Sequence, residues 1–527
     1  VTDRRAWALR CAVATLAGLI TSAAFEPIAW PVLLPLGVAL FGWSCTGLTV
    51  RRAALTGWLF GIAFYFTHID WMRSSIGPDA WLGLSTLESL FYAAAGAAMP
   101  LVRRLPAWPL WAAAVWTAAE CLRSVWPASG MPWGRLAFAT IDTPAAPAVA
   151  YLGMTGLSFA LALLGFLLVH AADRHAGGTL WLRLAPAVGL VALLVVPAVA
   201  PYDVTTDRTV AVAAVQGNVP GPGNDILYDS RGVTANHVQA TEDLAADVAA
   251  GRVERPDFVV WPENSTAVDP FDDREVSAGI RRAVSAIDVP VVVGGLVDDP
   301  EPGHILNQGI VWDPVTGPGD RYTKRHPVPY GEYIPFRDLW DPKFGQLALI
   351  TRDMRAGTRT TPLRVDGALV GDAICFDIAY DDVTTTQVRN GAQMLMVQTS
   401  NASFIFTHQI EQQFAITRLR ALEAGRWLVV ASTNGRSGVI APSGEVVASA
   451  DPRTTAVLSE RVGLSDTLTP AVRMGDWPAR LLSLAALLGL ALGALAYRRN
   501  RHDAGVPTEP APTPSAVVPS ANEAPVA

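Results

Sequence analysis

Lysine is nearly missing from this sequence: of 40 basic residues only Lys324 and Lys343 are lysines, which leaves 38 arginines. Cysteine is almost as scarce, with four, at positions 11, 45, 121 and 375. The first three lie in apolar stretches, and Cys375 stands alone in the part of the chain with mixed composition. That part therefore cannot form an internal disulfide, and a lone thiol there is either a buried bystander or a reactive group. Charged residues make up only 17% and sum to −7, which gives no basis for nucleic-acid binding. The eight histidines are scattered, none at metal-ligand spacing to another ligand, so no metal is expected. Cys-x-x-Cys pairs, phosphate loops and Gly-x-Ser-x-Gly elbows do not occur, nor does an internal repeat. No cofactor is expected.

Apolar residues are what the chain has in abundance, at 51%, concentrated before about residue 201 and again near 478–497. A membrane span needs about 20 predominantly apolar residues. Eight segments qualify: 6–24, 28–49, 53–70, 83–102, 106–124, 149–170, 181–200 and 478–497. The first is not read as a signal peptide, because Arg10 interrupts its start, no small-residue cleavage site follows, and further spans come at once. Seven spans, with one segment only dipping into the bilayer, is the alternative. Basic clusters set orientation. Arg4 and Arg5, Arg51 and Arg52, Arg103 and Arg104, Arg174 and Arg183, and Arg498, Arg499 and Arg501 all fall on one side if the N-terminus is inside. Arg73, Arg123 and Arg135 are the exceptions. Both termini are then cytoplasmic, and the stretch between the seventh and eighth spans is extracytoplasmic. The expected organisation is a seven-span domain over 1–201, a soluble domain over 207–470, an eighth span over 478–497, and a disordered cytoplasmic tail over 503–527, rich in Pro, Ala and Ser.

Within 207–470, short β-branched runs alternate with amphipathic stretches. Strands are expected at 209–216, 257–261, 290–296, 308–312, 368–375, 393–399 and 427–433, and helices at 232–250, 275–287, 380–390 and 408–424. The alternation indicates a layered α/β domain, in which chemistry gathers at strand ends.

Three segments carry reactive residue types, the first and third of them at strand ends. In Trp261-Pro262-Glu263-Asn264-Ser265 an apolar strand runs into a Pro turn with a carboxylate, suited to a general base or to a surface turn acid. In Tyr322-Thr323-Lys324-Arg325-His326 an arginine-preferring chain has kept an ammonium, either by chance, as at Lys343, or because a compact point charge suits a small oxyanion. Glu332, in the Pro- and aromatic-rich loop that follows, could be a second catalytic carboxylate or pair with a nearby cation. In Gly371-Asp372-Ala373-Ile374-Cys375-Phe376-Asp377 a strand runs straight into the lone thiol, as either a nucleophile or a buried structural cysteine.

Glu in WPENS, Lys in YTKRH and Cys in GDAICFD stand in the order and rough spacing of the nitrilase (carbon–nitrogen hydrolase) superfamily. With seven spans before and one after, nearly the whole chain resembles the bacterial apolipoprotein N-acyltransferase family. Gln216-Gly217-Asn218, the segment His326 to Pro335, Arg420-Ala421-Leu422-Glu423 and Thr433-Asn434-Gly435 match as well, as do Glu120-Cys121-Leu122-Arg123 and Pro132-Trp133 in the apolar part. The resemblance implies an αββα sandwich fold and a location in the bacterial inner membrane. It implies Cys375 as the acylated nucleophile, Glu263 as the general base, Lys324 for the oxyanion and Glu332 as a supporting carboxylate. Phe376, Asp377, Tyr330 and Tyr333 are the expected supporting or substrate-contacting residues, and Val328 to Trp340 is expected to act as a lid or membrane-touching arm. The implied donor is a phospholipid and the implied acceptor a diacylated apolipoprotein. The chain departs from the family at Phe376-Asp377, where Tyr-Glu is usual, and in the loop after Gln216, which lacks the usual Trp. Two other readings are a membrane-tethered nitrilase-type amidase and a transporter or scaffold, for which Glu88, an intramembrane acid with no evident partner, is the candidate feature.

Overall fold

The computed structural model describes residues 4–173, 179–339, 341–343 and 345–503. The expected tail, Arg174 and Trp340 therefore lie outside the described residues, apart from the tail's first position.

The apolar part is helical: α1 (Arg4–Ser22), α2 (Leu33–Ser44), α3 (Val50–His68), a short α4 (Trp71–Ser75), α5 (Pro78–Val102), α6 (Trp108–Arg123), α7 (Val149–Ala172) and α8 (Leu180–Val199). Among the described residues, three helical stretches, 146–172, 180–199 and 477–499, are long and apolar enough to cross a membrane. The others fall below that measure for visible reasons. Helices α2 and α6 have 12 and 16 residues, and α1 and α3 open on paired arginines. At 1.5 Å per residue α2 rises about 18 Å, against a hydrocarbon core of about 30 Å.

These helices pack tightly through small residues. A Cβ on Gly57 of α3 would meet the Tyr92 carbonyl oxygen of α5 at 2.2 Å, so only glycine allows this approach. Phe60 and Tyr92 each meet Trp116 edge to face and pack tilted against one another, joining α3, α5 and α6. Glu88, without an evident partner in the sequence, lies 3.7 Å from the Arg123 guanidinium at the end of α6. Arg123 also donates to the Met131 and Trp133 carbonyls at 2.8 and 2.6 Å, holding the loop after α6.

The mixed-composition part builds two sheets. Its elements are β1 (Arg208–Gln216), α9 (Ser230–Ala249), β2 (Phe258–Val260), α10 (Arg274–Ile287), β3 (Val291–Asp298), β4 (His304–Asp313), β5 (Gly317–Thr323), β6 (Asp353–Met354), β7 (Leu363–Val365), β8 (Ala368–Ile374), α11 (Asp381–Arg389), β9 (Met394–Thr399), α12 (Gln409–Ala424), β10 (Leu428–Ser432), β11 (Gly438–Ile440), β12 (Val446–Ser449) and β13 (Ala456–Leu464). A turn of helix, α13 (Pro470–Met474), leads into α14 (Trp477–Asp503).

One sheet has the order β13-β1-β2-β3-β4-β5, with β6 on β4; the other runs β12-β11-β10-β9-β8-β7. Each has a parallel centre: β1, β2 and β3 joined through α9 and α10, and β8, β9 and β10 through α11 and α12. Side-chain alternation explains the layering. Val212, Val260 and Val292 meet Val370, Met396 and Val429 between the sheets. Their neighbours Ala213, Val259 and Val291 face α9 and α10. On the far side, Ala373, Leu395 and Val430 turn outward into one apolar cluster with α11, α12 and the N-terminal helices. The result is the αββα sandwich of the nitrilase fold, with its second helical layer pressed against the apolar helices.

Polar contacts fix that seam. Gln412 of α12 accepts from the Trp71 and Trp133 indoles at 3.0 and 2.8 Å and donates to the Glu26 and His68 carbonyls at 2.9 and 3.1 Å. Asp381 accepts from Arg135 and Arg420 at 2.8 and 2.7 Å. Glu423 accepts the Met154 amide at 2.9 Å, at the kink where Gly153 interrupts α7 with φ 66°.

Candidate active site

Glu263 is delivered by a strand that stops abruptly. After β2, Trp261 is buried with its indole bonded to the Thr241 hydroxyl at 2.9 Å, and Asn264 takes a left-handed φ of 56°. The turn directs the Glu263 side chain inward, where it is only 3% exposed. Its Oε1 accepts from Asn307 Nδ2 at 2.7 Å and Lys324 Nζ at 3.1 Å, and its Oε2 from the Ser400 amide at 2.9 Å.

Lys324 follows β5 and is fully buried. Its amide bonds the Asn307 carbonyl at 2.9 Å, so one residue of β4 orients both Lys324 and Glu263. Nζ reaches Glu332 Oε1 at 2.6 Å, and Glu332 Oε2 takes the Val328 amide at 2.8 Å. Burial alone would push the ammonium's pKa down, but Glu263, Glu332 and Cys375 together hold it well above its usual value. Burial and the neighbouring Glu263 raise the Glu332 pKa, with Lys324 opposing. The chain thus sets one permanent cation between two carboxylates.

Cys375 comes directly after β8, at the start of a tight helical turn, with φ 53°. A left-handed backbone is strained for a residue with a Cβ, and it marks a position where side-chain direction matters more than comfort. The thiol lies beside the Thr399 hydroxyl at the end of β9 and feels the charges of Glu263, Lys324 and Glu332. Burial, helped by Glu263, pushes its pKa up to about 12, while Lys324 and Thr399 work the other way. At rest it is a protonated thiol in the field of the Glu263 carboxylate.

Glu263, Lys324, Cys375 and Glu332 therefore converge from four strand ends and loops. Asp377 stands behind them. Its carboxylate accepts the Tyr322 hydroxyl at 2.9 Å, the amides of Arg325 and His326 at 3.2 and 2.8 Å, and the Ile374 amide at 3.4 Å. It ties the segment after Lys324 to the turn bearing Cys375, and an aspartate reaches all of these partners. Phe376 points to the seam and stacks on Trp133 at 5.8 Å. Tyr333 donates to the Ala128 carbonyl at 3.1 Å, fastening its loop to the one after α6. Tyr330 sits at the loop tip, 38% exposed with φ 58°.

Sequence reasoning missed Asn307, Thr399, Ser400 and Tyr380. Asn307 carried a faint signal, an amide side chain in a strand. Tyr380 stacks on His326 at 3.8 Å, with its hydroxyl 3.2 and 3.1 Å from the Ser129 and Gly130 carbonyls.

Comparison with known proteins gives two domain matches. Residues 17–167 match the apolipoprotein N-acyltransferase N-terminal domain, and residues 211–468 match the carbon–nitrogen hydrolase domain. The apolipoprotein N-acyltransferase of Mycolicibacterium smegmatis is 36% identical over 92% of this chain and 86% of its own length. That of Photobacterium profundum is 26% identical, covering 91% of this chain and 94% of the relative. Among solved structures, a Nesterenkonia amidase of the nitrilase superfamily aligns over 51% of this chain and 95% of its own, at 15% identity and TM-score 0.36. The nitrilase-superfamily member Nit3 of Saccharomyces cerevisiae aligns over 52% of this chain and 96% of its own, at 15% identity and TM-score 0.36.

Proposed function

Since the chain belongs to the apolipoprotein N-acyltransferase family, we propose that it moves an acyl chain from a phospholipid, through a thioester on Cys375, to the N-terminal amine of diacylglyceryl-cysteine apolipoproteins. It is an acyltransferase of lipoprotein maturation, and this reading is favoured over the amidase alternative. The observation that carries it is the union in one chain of both family domains with a buried Glu263–Lys324 pair beside the half-buried Cys375 at the helical seam.

In the first step Glu263 takes the Cys375 proton as sulfur attacks the ester carbonyl. Lys324, already charged, stabilises the oxyanion, and a charge held in place costs no reorganisation as the oxyanion forms. The C–O bond breaks, the lysophospholipid oxygen receives the proton from Glu263, and the acyl group stays on sulfur. In the second step the neutral α-amino group attacks the thioester, forms the amide, and returns a proton to the thiol through Glu263. The scheme is ping-pong. Glu332 keeps Lys324 aligned, and Asp377 holds the Cys375 turn.

Membrane embedding suits substrates anchored in lipid. We read eight spans, α1, α2, α3, α5, α6, α7, α8 and α14, with the helical domain over 1–201, the catalytic domain over 207–470 on the extracytoplasmic face, both termini cytoplasmic, and a cytoplasmic tail over 503–527. The arginine clusters support that orientation. The segment Val328 to Trp340 serves as the arm at the lipid surface.

The test is Cys375→Ala in an assay with phospholipid and a diacylated lipopeptide. Transfer is expected to vanish while the protein still folds, and full N-acylation by this variant would sink the mechanism.

A further inference from the structure

Beneath the reactive cluster, between the two sheets, lies a second carboxyl group that the mechanism above does not use. Asp372 of β8 is 1% exposed, and no donor meets either of its carboxyl oxygens in good hydrogen-bond geometry, although the Ala373 amide lies near. Gln398 of β9 is fully buried, and its Oε1 is likewise without one. These orphaned acceptors share one space. Asp372 Oδ2 and Gln398 Oε1 each lie 2.3 Å from the point a Cβ on Gly309 of β4 would occupy. Glycine at 309 therefore makes room for both.

Turning the Gln398 amide over does not relieve the clash of acceptors. Its Nε2 already donates to the Trp261 carbonyl at 2.5 Å, and a turned amide would set oxygen against oxygen there. With Gln398 fixed, a proton must sit on Asp372. Two buried acceptors left to share one space without a donor are otherwise costly.

We propose that Asp372 is a neutral carboxylic acid that donates to Gln398 Oε1 and, through Gln398 and the Trp261 carbonyl, positions Glu263 for proton abstraction. Trp261 is two residues before Glu263, and Gln398 is followed by Thr399 and Ser400, which touch Cys375 and Glu263 respectively. One protonated acid thus ties the strand ends that bear the base and the thiol's neighbour across the sheets. The groups facing it agree. Burial first, then the nearby Asp377 carboxylate, push its pKa well above the usual value, against weaker opposition from the Ala373 amide and Arg359, with Glu263 adding least. Tyr322, paired with Gly309 across β4 and β5, is itself held neutral by burial and by Asp377. Asp372 is a positioning residue; it does not meet substrate.

The positioning role rests on the acyl-transfer reading, whereas the protonation does not, so the experiment reads them separately. Infrared difference spectra of the full chain in detergent, wild type against Asp372→Asn, should contain a protonated-carboxyl stretch at neutral pH that the variant loses. Absence of that band would overturn the neutral acid. In the transfer assay, Asp372→Asn, which keeps a neutral donor, should retain most of kcat. Asp372→Leu and Gly309→Ala should lose about tenfold or more in kcat with little change in KM for the acyl donor. Equal losses in all three variants, or none in any, would overturn the positioning role. A wild-type chain that transfers no acyl group would remove that role together with the acyl-transfer reading, and leave the infrared result to decide the protonation.

Discussion

On the proposed mechanism Cys375 is a poor nucleophile until Glu263 acts, and the same carboxylate is part of the reason. Its negative charge helps burial hold the thiol near 12 while it stands ready to accept the proton. Glu263→Gln should therefore split two properties that usually travel together. The thiol pKa should fall, because a repelling charge is gone, so alkylation of Cys375 by a small neutral reagent should reach its half-maximal rate at lower pH than in wild type. Acyl transfer should nonetheless drop by about a hundredfold or more, because the base is lost. Parallel loss of alkylation and transfer would mean that Glu263 acts only as scaffold. Residue types were the most legible feature of the sequence. The scarcity of lysine and of soluble cysteine singled out Lys324 and Cys375 before any geometry. Their orienting partners were not legible, because Asn307, Ser400 and Asp372 are common polar residues whose role depends on contacts across two sheets.

At the scale of elements, the strands read correctly from sequence are the central ones. Runs such as Val291–Val293 and Met394–Val397 are buried on both faces and so are continuously apolar. The missed strands are edges or short pieces. β5 is half-exposed and rich in Gly, Pro and Asp, and β12 alternates exposed and half-buried positions. The seam was also hidden, since Gln412 lies more than 270 residues from the two indoles it holds. Replacing Gln412 with Leu would leave two indole N–H groups and two carbonyls unpaired in the interior. Thermal unfolding in detergent should show a loss of roughly 2–4 kcal/mol. An unchanged melting temperature would mean that the sandwich does not depend on this side chain for its docking.

For the whole molecule, what matters is where the sandwich is docked. The turn after Cys375 runs directly onto the helical domain through Phe376 on Trp133 and Tyr380 on Ser129 and Gly130, and Tyr333 fastens the next loop to Ala128. A thiol held this close to apolar helices suits an acyl chain that never leaves lipid. The central claim is that Cys375 carries that chain between two substrates. It is tested most directly by incubating the full chain with phospholipid alone and weighing the protein intact and after digestion. The account predicts one acyl group on the peptide bearing Cys375, lost when a diacylated lipopeptide is added and absent in Glu263→Gln. Transfer to the lipopeptide with no acylated Cys375 at any time would contradict it.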